Sequence, residues 1–232
     1  MNRWRGQSEI RNPRAATARN AFTLAEMLIA IMILGMGLSM AAAIFPAAMT
    51  YNQQSADDIL GNIICQNGLS LVKATLSLGA LTTTLSENTS LGDDRRYPID
   101  ADDDKTGFLV FGRRMASTRN DHQIIIVAYS KADAANMLST VAKPPPTTSP
   151  LADGRYKLVF SAPDTDLQAG SVIIAKVDGA YARILGVDGA TVIVDRKLEP
   201  GGQNVLVVAE TGTGVKKSPV LAVLATRTAL KQ

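Results

Sequence analysis

The residue best placed to do chemistry in this chain is an acid at the start of a long uncharged segment. Glu26 directly precedes Met27–Ala56, a run of thirty residues without a charged side chain. A carboxylate at the entrance of such a segment is costly in a membrane and needs a partner. We therefore expect Glu26 to pair with a positively charged group.

A second set of acids has the spacing of a calcium loop. Asp100, Asp102 and Asp104 alternate along the chain, as carboxylates do where they reach one calcium ion. The loop of this type continues with glycine and ends in glutamate, whereas this chain has Lys105 and Phe111 there. A solvated acidic loop is therefore the favoured interpretation, calcium is the alternative, and no other cofactor is predicted.

Catalytic patterns are scarce. His122 is the only histidine and has no metal-ligand spacing around it, and Cys65, the only cysteine, falls on the apolar face of a predicted helix. The sequence ETGTGVKKS is no phosphate-binding loop, because Thr211 and Lys216 occupy positions that require glycine. The chain is predicted not to be an enzyme.

The segment that follows Glu26 is predicted to cross a membrane. The stretch MLIAIMILGMGLSMAAAIFPAAM is long enough, at ~1.5 Å per residue, for a ~30 Å hydrocarbon core. Five arginines against one acid give residues 1–21 a charge of +4, which leaves −1 of the overall +3 for the remainder. Positive flanks stay in the cytoplasm, so the rest of the chain is predicted to be extracytoplasmic. Because the basic charge lies in residues 1–21 and not in the extracytoplasmic remainder, no nucleic-acid partner is predicted.

Helical periodicity continues beyond Pro46. Apolar residues recur at helical spacing from Ala56 to Leu71, with polar residues between them. The pattern predicts one helix over 22–76, of which 22–49 spans the membrane and the rest is an amphipathic rod.

The remainder, 77–232, is predicted to be a β-rich head. The polar stretch 82–108 reads as a connection, and KPPPTTSP, residues 143–150, as a loop. Apolar, β-branched runs predict strands within 122–130, 155–162, 171–179, 180–189, 190–199, 204–210 and 219–228. Asp178-Gly179 and Asp188-Gly189 are hairpin signals, so we expect an antiparallel meander with one face on the rod, which is an α+β fold.

The segment AFTLAEMLIAIMIL, Ala21–Leu34, resembles the class III signal of type IV pilins and type II secretion pseudopilins. In that family a small residue precedes Phe-Thr-Leu, a variable residue, Glu and an apolar helix. The resemblance covers residues 1 to about 56, a quarter of the chain. It implies that 1–21 is a leader, that prepilin peptidase cuts between Ala21 and Phe22 and methylates Phe22, and that Glu26 docks on another subunit.

Elementary electrostatics favours the same pairing. The cut exposes a positive amine at Phe22, about one helical turn from Glu26. An isolated acid in a membrane helix costs about 2.5 to 3.5 kcal/mol, and a neighbour's amine relieves both charges. The resemblance thus implies a pilus or pseudopilus-like subunit that waits in the inner membrane as a single-pass protein. It enters the filament through an inner-membrane assembly platform.

An ordinary export signal is the alternative interpretation. Residues 1–26 would form its positive region and Met27–Met40 its apolar region, and the small residues at 41–43 or at 46–48 would offer a cut site. The chain would then be an exported or membrane-anchored β domain, either a binding module or a hydrolase. The FTLAE string and the amphipathic continuation favour the filament subunit over this alternative.

Overall fold

A 52-residue helix, α1, begins at Leu24 and ends at Thr75. The computed structural model to which it belongs describes residues 23–75, 81, 84–87, 96–97, 105–115, 121–131, 137–211 and 218–229. The chain divides into two compact units between Asn52 and Gln53, and α1 contributes to both. Pro46 lies inside the helix without ending it, as membrane helices tolerate.

The part of α1 in the first unit is apolar and exposed throughout. Every described residue from Thr23 to Asn52 is exposed. A Cβ atom added at Gly35 or Gly37 would have no heavy atom of another residue within 4 Å beyond the helix backbone and its chain neighbours. Among the described residues, α1 is the one helix long and apolar enough to cross a membrane, judged by length and composition. The predicted long apolar helix is therefore confirmed.

Eleven strands make up the regular structure of the second unit, as far as it is described. They are β1 Ser86–Glu87, β2 Thr106–Arg114, β3 Asp121–Ser130, β4 Met137–Lys143, β5 Thr147–Pro150, β6 Tyr156–Val159, β7 Val172–Ala175, β8 Tyr181–Asp188, β9 Thr191–Val194, β10 Val205–Thr211 and β11 Val220–Ala229.

The strands form two antiparallel sheets. A four-stranded sheet has the order β1-β2-β3-β11, and a seven-stranded sheet the order β4-β10-β7-β8-β9-β6-β5. The α+β prediction is confirmed, whereas the single meander is wrong. Strands β7, β8 and β9 follow one another as hairpin neighbours at the two Asp-Gly turns, and β5 and β6 form a separate neighbouring pair. Strand β10 returns to pair with β4 and β7, and β11 crosses to the other sheet.

Two further corrections concern stretches read as irregular. Residues 106–108, the end of the predicted connection 82–108, belong to the inner strand β2. The second half of KPPPTTSP forms β5, at the edge of the larger sheet, while Pro144–Pro146 lie outside any strand. An edge strand tolerates a proline because an N–H that faces outward makes no ladder bond.

The four-stranded sheet is buried on both faces. On one face, Ile64, Cys65 and Val72 of α1 pack with side chains of β2 and β3, among them Phe108 and Ile126. The other face packs on β7 and β10 of the larger sheet. A strand buried on both faces needs a continuous apolar run, which explains the IIIVA sequence of β3. A third cluster fills the far side of the larger sheet.

Two glycines bring α1 close to the four-stranded sheet. A Cβ atom on Gly61 would lie 2.8 Å from the Cβ of Ala222, and one on Gly68 would lie 3.0 Å from the ring of Phe108. Real Cβ atoms essentially never make a contact as short as the first, and the second is tighter than nine in ten real Cβ contacts. Glycine weakens a helix, but at these two positions it permits the contact that buries the sheet.

We expect Gly61→Ala to lower stability although alanine is the better helix former. The gain in helix propensity is about 1 kcal/mol, whereas forcing a methyl group against β11 costs about 1 to 3 kcal/mol. Thermal unfolding of the full chain in detergent measures the net effect. Asn62→Ala, on the exposed side of the same turn, is the matched control and should leave the melting temperature equal or higher. A G61A melting temperature equal to or above that of the parent would contradict the close approach.

Candidate functional site

The start of α1 is closed by reciprocal hydrogen bonds between Thr23 and Glu26. The backbone N–H of Thr23 donates to Oε2 of Glu26 at 2.8 Å, and the Thr23 hydroxyl donates to the same oxygen at 3.1 Å. In return, the backbone N–H of Glu26 donates to Oγ1 of Thr23 at 3.3 Å. This arrangement is a capping box, in which a hydroxyl residue and a glutamate three positions later satisfy each other's free N–H groups.

The capping box gives the Glu26 carboxylate hydrogen-bond donors within its own chain. Its carboxylate is not an isolated acid, because two donors of its own chain reach Oε2. Within the described part of the chain, no hydrogen bond or ion pair reaches the other oxygen, Oε1. The position in the first turn also places the negative charge near the positive end of the helix dipole. The hydrogen-bonding capacity of the Glu26 carboxylate is thus partly met by Thr23.

Sequence reasoning identified Glu26 but missed Thr23. The signal was present, since Thr-Leu-Ala-Glu has the hydroxyl-x-x-Glu spacing of a capping box. Ala21 and Phe22 lie outside the described residues, as do Asp100, Asp102 and Asp104. Within the residues that the structure describes, no group of three or more His, Cys, Asp or Glu side chains could hold a metal ion. The calcium loop stays a prediction.

The second part of α1 presents two different faces. Gly61, Ile64, Cys65, Gly68 and Val72 are buried against the sheet. Ile59 is 59% exposed and Ile63 is 44% exposed, and residues four apart lie side by side on a helix. An apolar pair therefore remains on the surface of α1 within the second unit.

Neither of the residues most often used in catalysis is exposed. His122 is fully buried in β3, opposite Arg114 and Thr228 of the adjacent strands. Cys65 is 2% exposed, with its sulfur 3.8 Å from the carbonyl oxygen of Ile126. Burial raises the pKa of the Cys65 thiol, and hydrogen bonding at the backbone of Ala128 and Leu224 offsets this only in part. A protonated thiol is a poor nucleophile.

A cavity of about 590 Å³ in the second unit is lined by charges of both signs. Asp57 and Asp58 of α1 border it together with Lys131, Arg183 and Glu210. Its described lining contains no histidine or cysteine, so the nucleophile and base pairs that use those residues do not occur there.

One ion cluster in the head joins β4 to the segment before β7. The ammonium group of Lys143 bonds the carboxylates of both Asp164 and Asp166. Burial opposes both charges, but the hydrogen bonds and the opposite charge outweigh it, so the pKa of Asp164 is lowered and that of Lys143 is raised. The stabilisation by Asp164 is present above the ordinary carboxyl pKa and is lost as the pH falls through the lowered value. The cluster therefore stabilises the connection between β4 and the segment before β7.

The buried state of Cys65 predicts a slow reaction with thiol reagents. We expect maleimide labelling of the folded chain to be about a hundredfold or more slower than after denaturation, because the sulfur reacts only when the structure opens. In Ser70→Cys, on an exposed position of the same helix, the added thiol should react quickly and Cys65 slowly. Equal rates for the two thiols would show that Cys65 is accessible.

Comparison with known proteins gives one match. Residues 17–42 match the family model of the prokaryotic N-terminal methylation motif. No curated protein and no solved structure matches the chain. The matched range contains Thr23 and Glu26 with the first part of α1, and the motif is the signature of type IV pilins and pseudopilins. The chain therefore carries the N-terminal signature of a pilin-like substrate of prepilin peptidase.

Proposed function

We propose that this protein is a structural subunit of a type IV pilus or a type II secretion pseudopilus-like filament. The observation that carries the proposal is the methylation motif at 17–42, continuous with a helix that runs on to Thr75 and packs on a β head. One helix then serves first as a membrane anchor and afterwards as an assembly element. An enzyme has no need of this combination.

Docking is proposed to use Glu26. Its Oε2 atom is bonded by Thr23, and within the described residues no donor reaches Oε1. The α-amine exposed by a cut before Phe22 is the positive group that a neighbouring subunit offers. An attraction between opposite charges is stronger in an apolar medium than in water, so the pair favours assembly. It also fixes how far one helix is shifted along the other.

Lateral contacts are proposed to come from the apolar surface of α1. Its side chains from Met27 to Met49 are exposed in the single chain, and they exchange lipid for neighbouring helices in a filament. Ile59 and Ile63 form an exposed apolar pair on α1 within the second unit. These two residues would contact another copy of α1 beyond the membrane-spanning part.

The proposed partners and location follow from the same motif. Prepilin peptidase processes the precursor, other pilin or pseudopilin subunits receive it, and an inner-membrane assembly platform inserts it into the filament. Before assembly it is a single-pass inner-membrane protein, with 1–21 as the leader and 22–49 as the span. The arginine-rich leader favours a cytoplasmic N-terminus and an extracytoplasmic head.

Processing provides the first test. We expect the mature chain, isolated from its native membrane, to begin with N-methylated Phe22, as measured by mass spectrometry of its N-terminal peptide. Ala21→Gly, which introduces the residue most frequent in the family, should be cut at least as well, and a bulky Ala21→Trp should remain uncut. A start near Ile44 or an intact Met1 would instead identify an exported or anchored β domain.

Docking provides the second test. Glu26→Ala should insert and be cut normally but enter filaments beside wild-type subunits about tenfold less often, which corresponds to a loss of about 1.4 kcal/mol. The measurement is the ratio of variant to wild-type chains in sheared filaments, relative to their ratio in the membrane. Asp58→Ala, an exposed acid farther along α1, is the control and should enter normally. Unchanged incorporation of Glu26→Ala would defeat the docking role.

A further inference from the structure

We infer that Arg113 is a latch between the two sheets of the head. It holds the turn between β7 and β8 on the four-stranded sheet, and so fixes how the two sheets are placed on each other. Arg113 lies in β2 of the four-stranded sheet, whereas the turn, residues 176–180, belongs to the larger sheet. The inference does not depend on the proposed function, because it concerns the head alone.

The guanidinium group of Arg113 donates to two backbone carbonyl groups of that turn. Its Nη2 atom donates to the carbonyl oxygen of Asp178 at 2.6 Å, and its Nη1 atom donates to that of Val177. The third donor, Nε, is bonded at 2.8 Å to Oε1 of Gln123, which faces Arg113 in the register of β2 and β3. A guanidinium group is planar and its donors have fixed directions. Because Nε is held by its own sheet, the two terminal donors are aimed at the turn.

The turn has a backbone that fits closely against the four-stranded sheet. Gly179 has a φ of +67°, and a Cβ atom there would lie 2.7 Å from Nε2 of Gln123. That Nε2 atom donates to the carbonyl oxygen of Gly179 at 3.4 Å. Glycine is therefore needed for the backbone conformation and also for the close approach. The N–H of Ala180 donates to Oδ1 of Asp178 at 2.9 Å, so the Asp178 side chain closes the turn while its carbonyl oxygen accepts from Arg113.

The apolar contact between the two sheets favours burial but sets little preference of direction. Where the sheets meet, Phe111 and Ile125 of the four-stranded sheet belong to one cluster with Ile174 and Val208 of the larger sheet. Burial of apolar surface is non-directional, whereas hydrogen bonds weaken steeply as their angle changes. The three hydrogen bonds from β2 and β3 to the turn therefore supply a restraint on direction that the apolar contact lacks.

The placement of the two sheets affects how the helix and the larger sheet are connected. Helix α1 packs on the four-stranded sheet, and the larger sheet packs on the other face of that sheet. A displacement of α1 therefore reaches the larger sheet across the interface that the latch holds in register.

Hydrogen exchange of the full chain in detergent micelles tests the latch. We expect Arg113→Met to speed exchange of the Gly179 and Ala180 amides about tenfold and to leave the middle of β3 within about twofold, because charge-assisted hydrogen bonds are lost at the turn alone. Arg113→Lys keeps the charge but not the planar fork, and should behave as Arg113→Met. Arg227→Met removes an exposed guanidinium group from β11 of the same sheet and should exchange as the wild type does.

Paired spin labels measure whether the latch also fixes the placement of the sheets. Ser86→Cys in β1 and Thr147→Cys in β5 put one label on an exposed edge position of each sheet. A brief reaction labels these exposed thiols before the buried Cys65. We expect the distribution of distances between the labels to be broader with Arg113→Met than with the wild-type arginine, and unchanged with Arg227→Met.

Four results would overturn the inference. Wild-type exchange of the turn in Arg113→Met would show that no latch exists, and faster exchange throughout β3 as well would assign Arg113 to general stability. Wild-type exchange in Arg113→Lys would show that a charge is sufficient without the planar fork. An unchanged distribution of label distances would show that apolar packing alone fixes the two sheets.

Discussion

The fold depends on how closely the second part of α1 approaches the four-stranded sheet. One of the two inner strands of that sheet, β3, has the apolar run Ile124–Ala128, and one face of the sheet is covered by the larger sheet. The other face would be left in water without the helix. Gly61 and Gly68 remove the Cβ atoms that would hold α1 away from β11 and β2. Burial of Ile64, Cys65 and Val72 follows from that approach.

The same helix satisfies two different environments. Its first part has no charged residue after Glu26 and no buried residue, and the lack of burial distinguishes it from the core helix of a soluble protein. Its second part buries one stripe and leaves polar residues outside, the usual pattern of a helix on a sheet. The boundary between the two units, at Asn52 and Gln53, falls inside a continuous helix.

Much of this fold could be predicted because its elements have strong local signals. The helix was predicted over 22–76 and is found from Leu24 to Thr75, and the Asp-Gly turns correctly joined β7, β8 and β9. Strand β2 was missed because its short apolar run follows an acidic, turn-rich stretch. The division into two sheets was missed for a different reason. Strands β11 and β3 pair although they lie far apart in the sequence, and no local signal indicates that pairing. An apolar strand that is buried on both faces fits either sheet equally well.

The candidate site shows what local reasoning about charge leaves out. The sequence argument treated Glu26 as an isolated acid, whose full penalty another subunit would have to remove. The capping box transfers part of that task to Thr23, since two of its donors already bind Oε2. What the proposed docking on a neighbour's amine would add is an opposite charge beside a carboxylate that is already hydrogen-bonded.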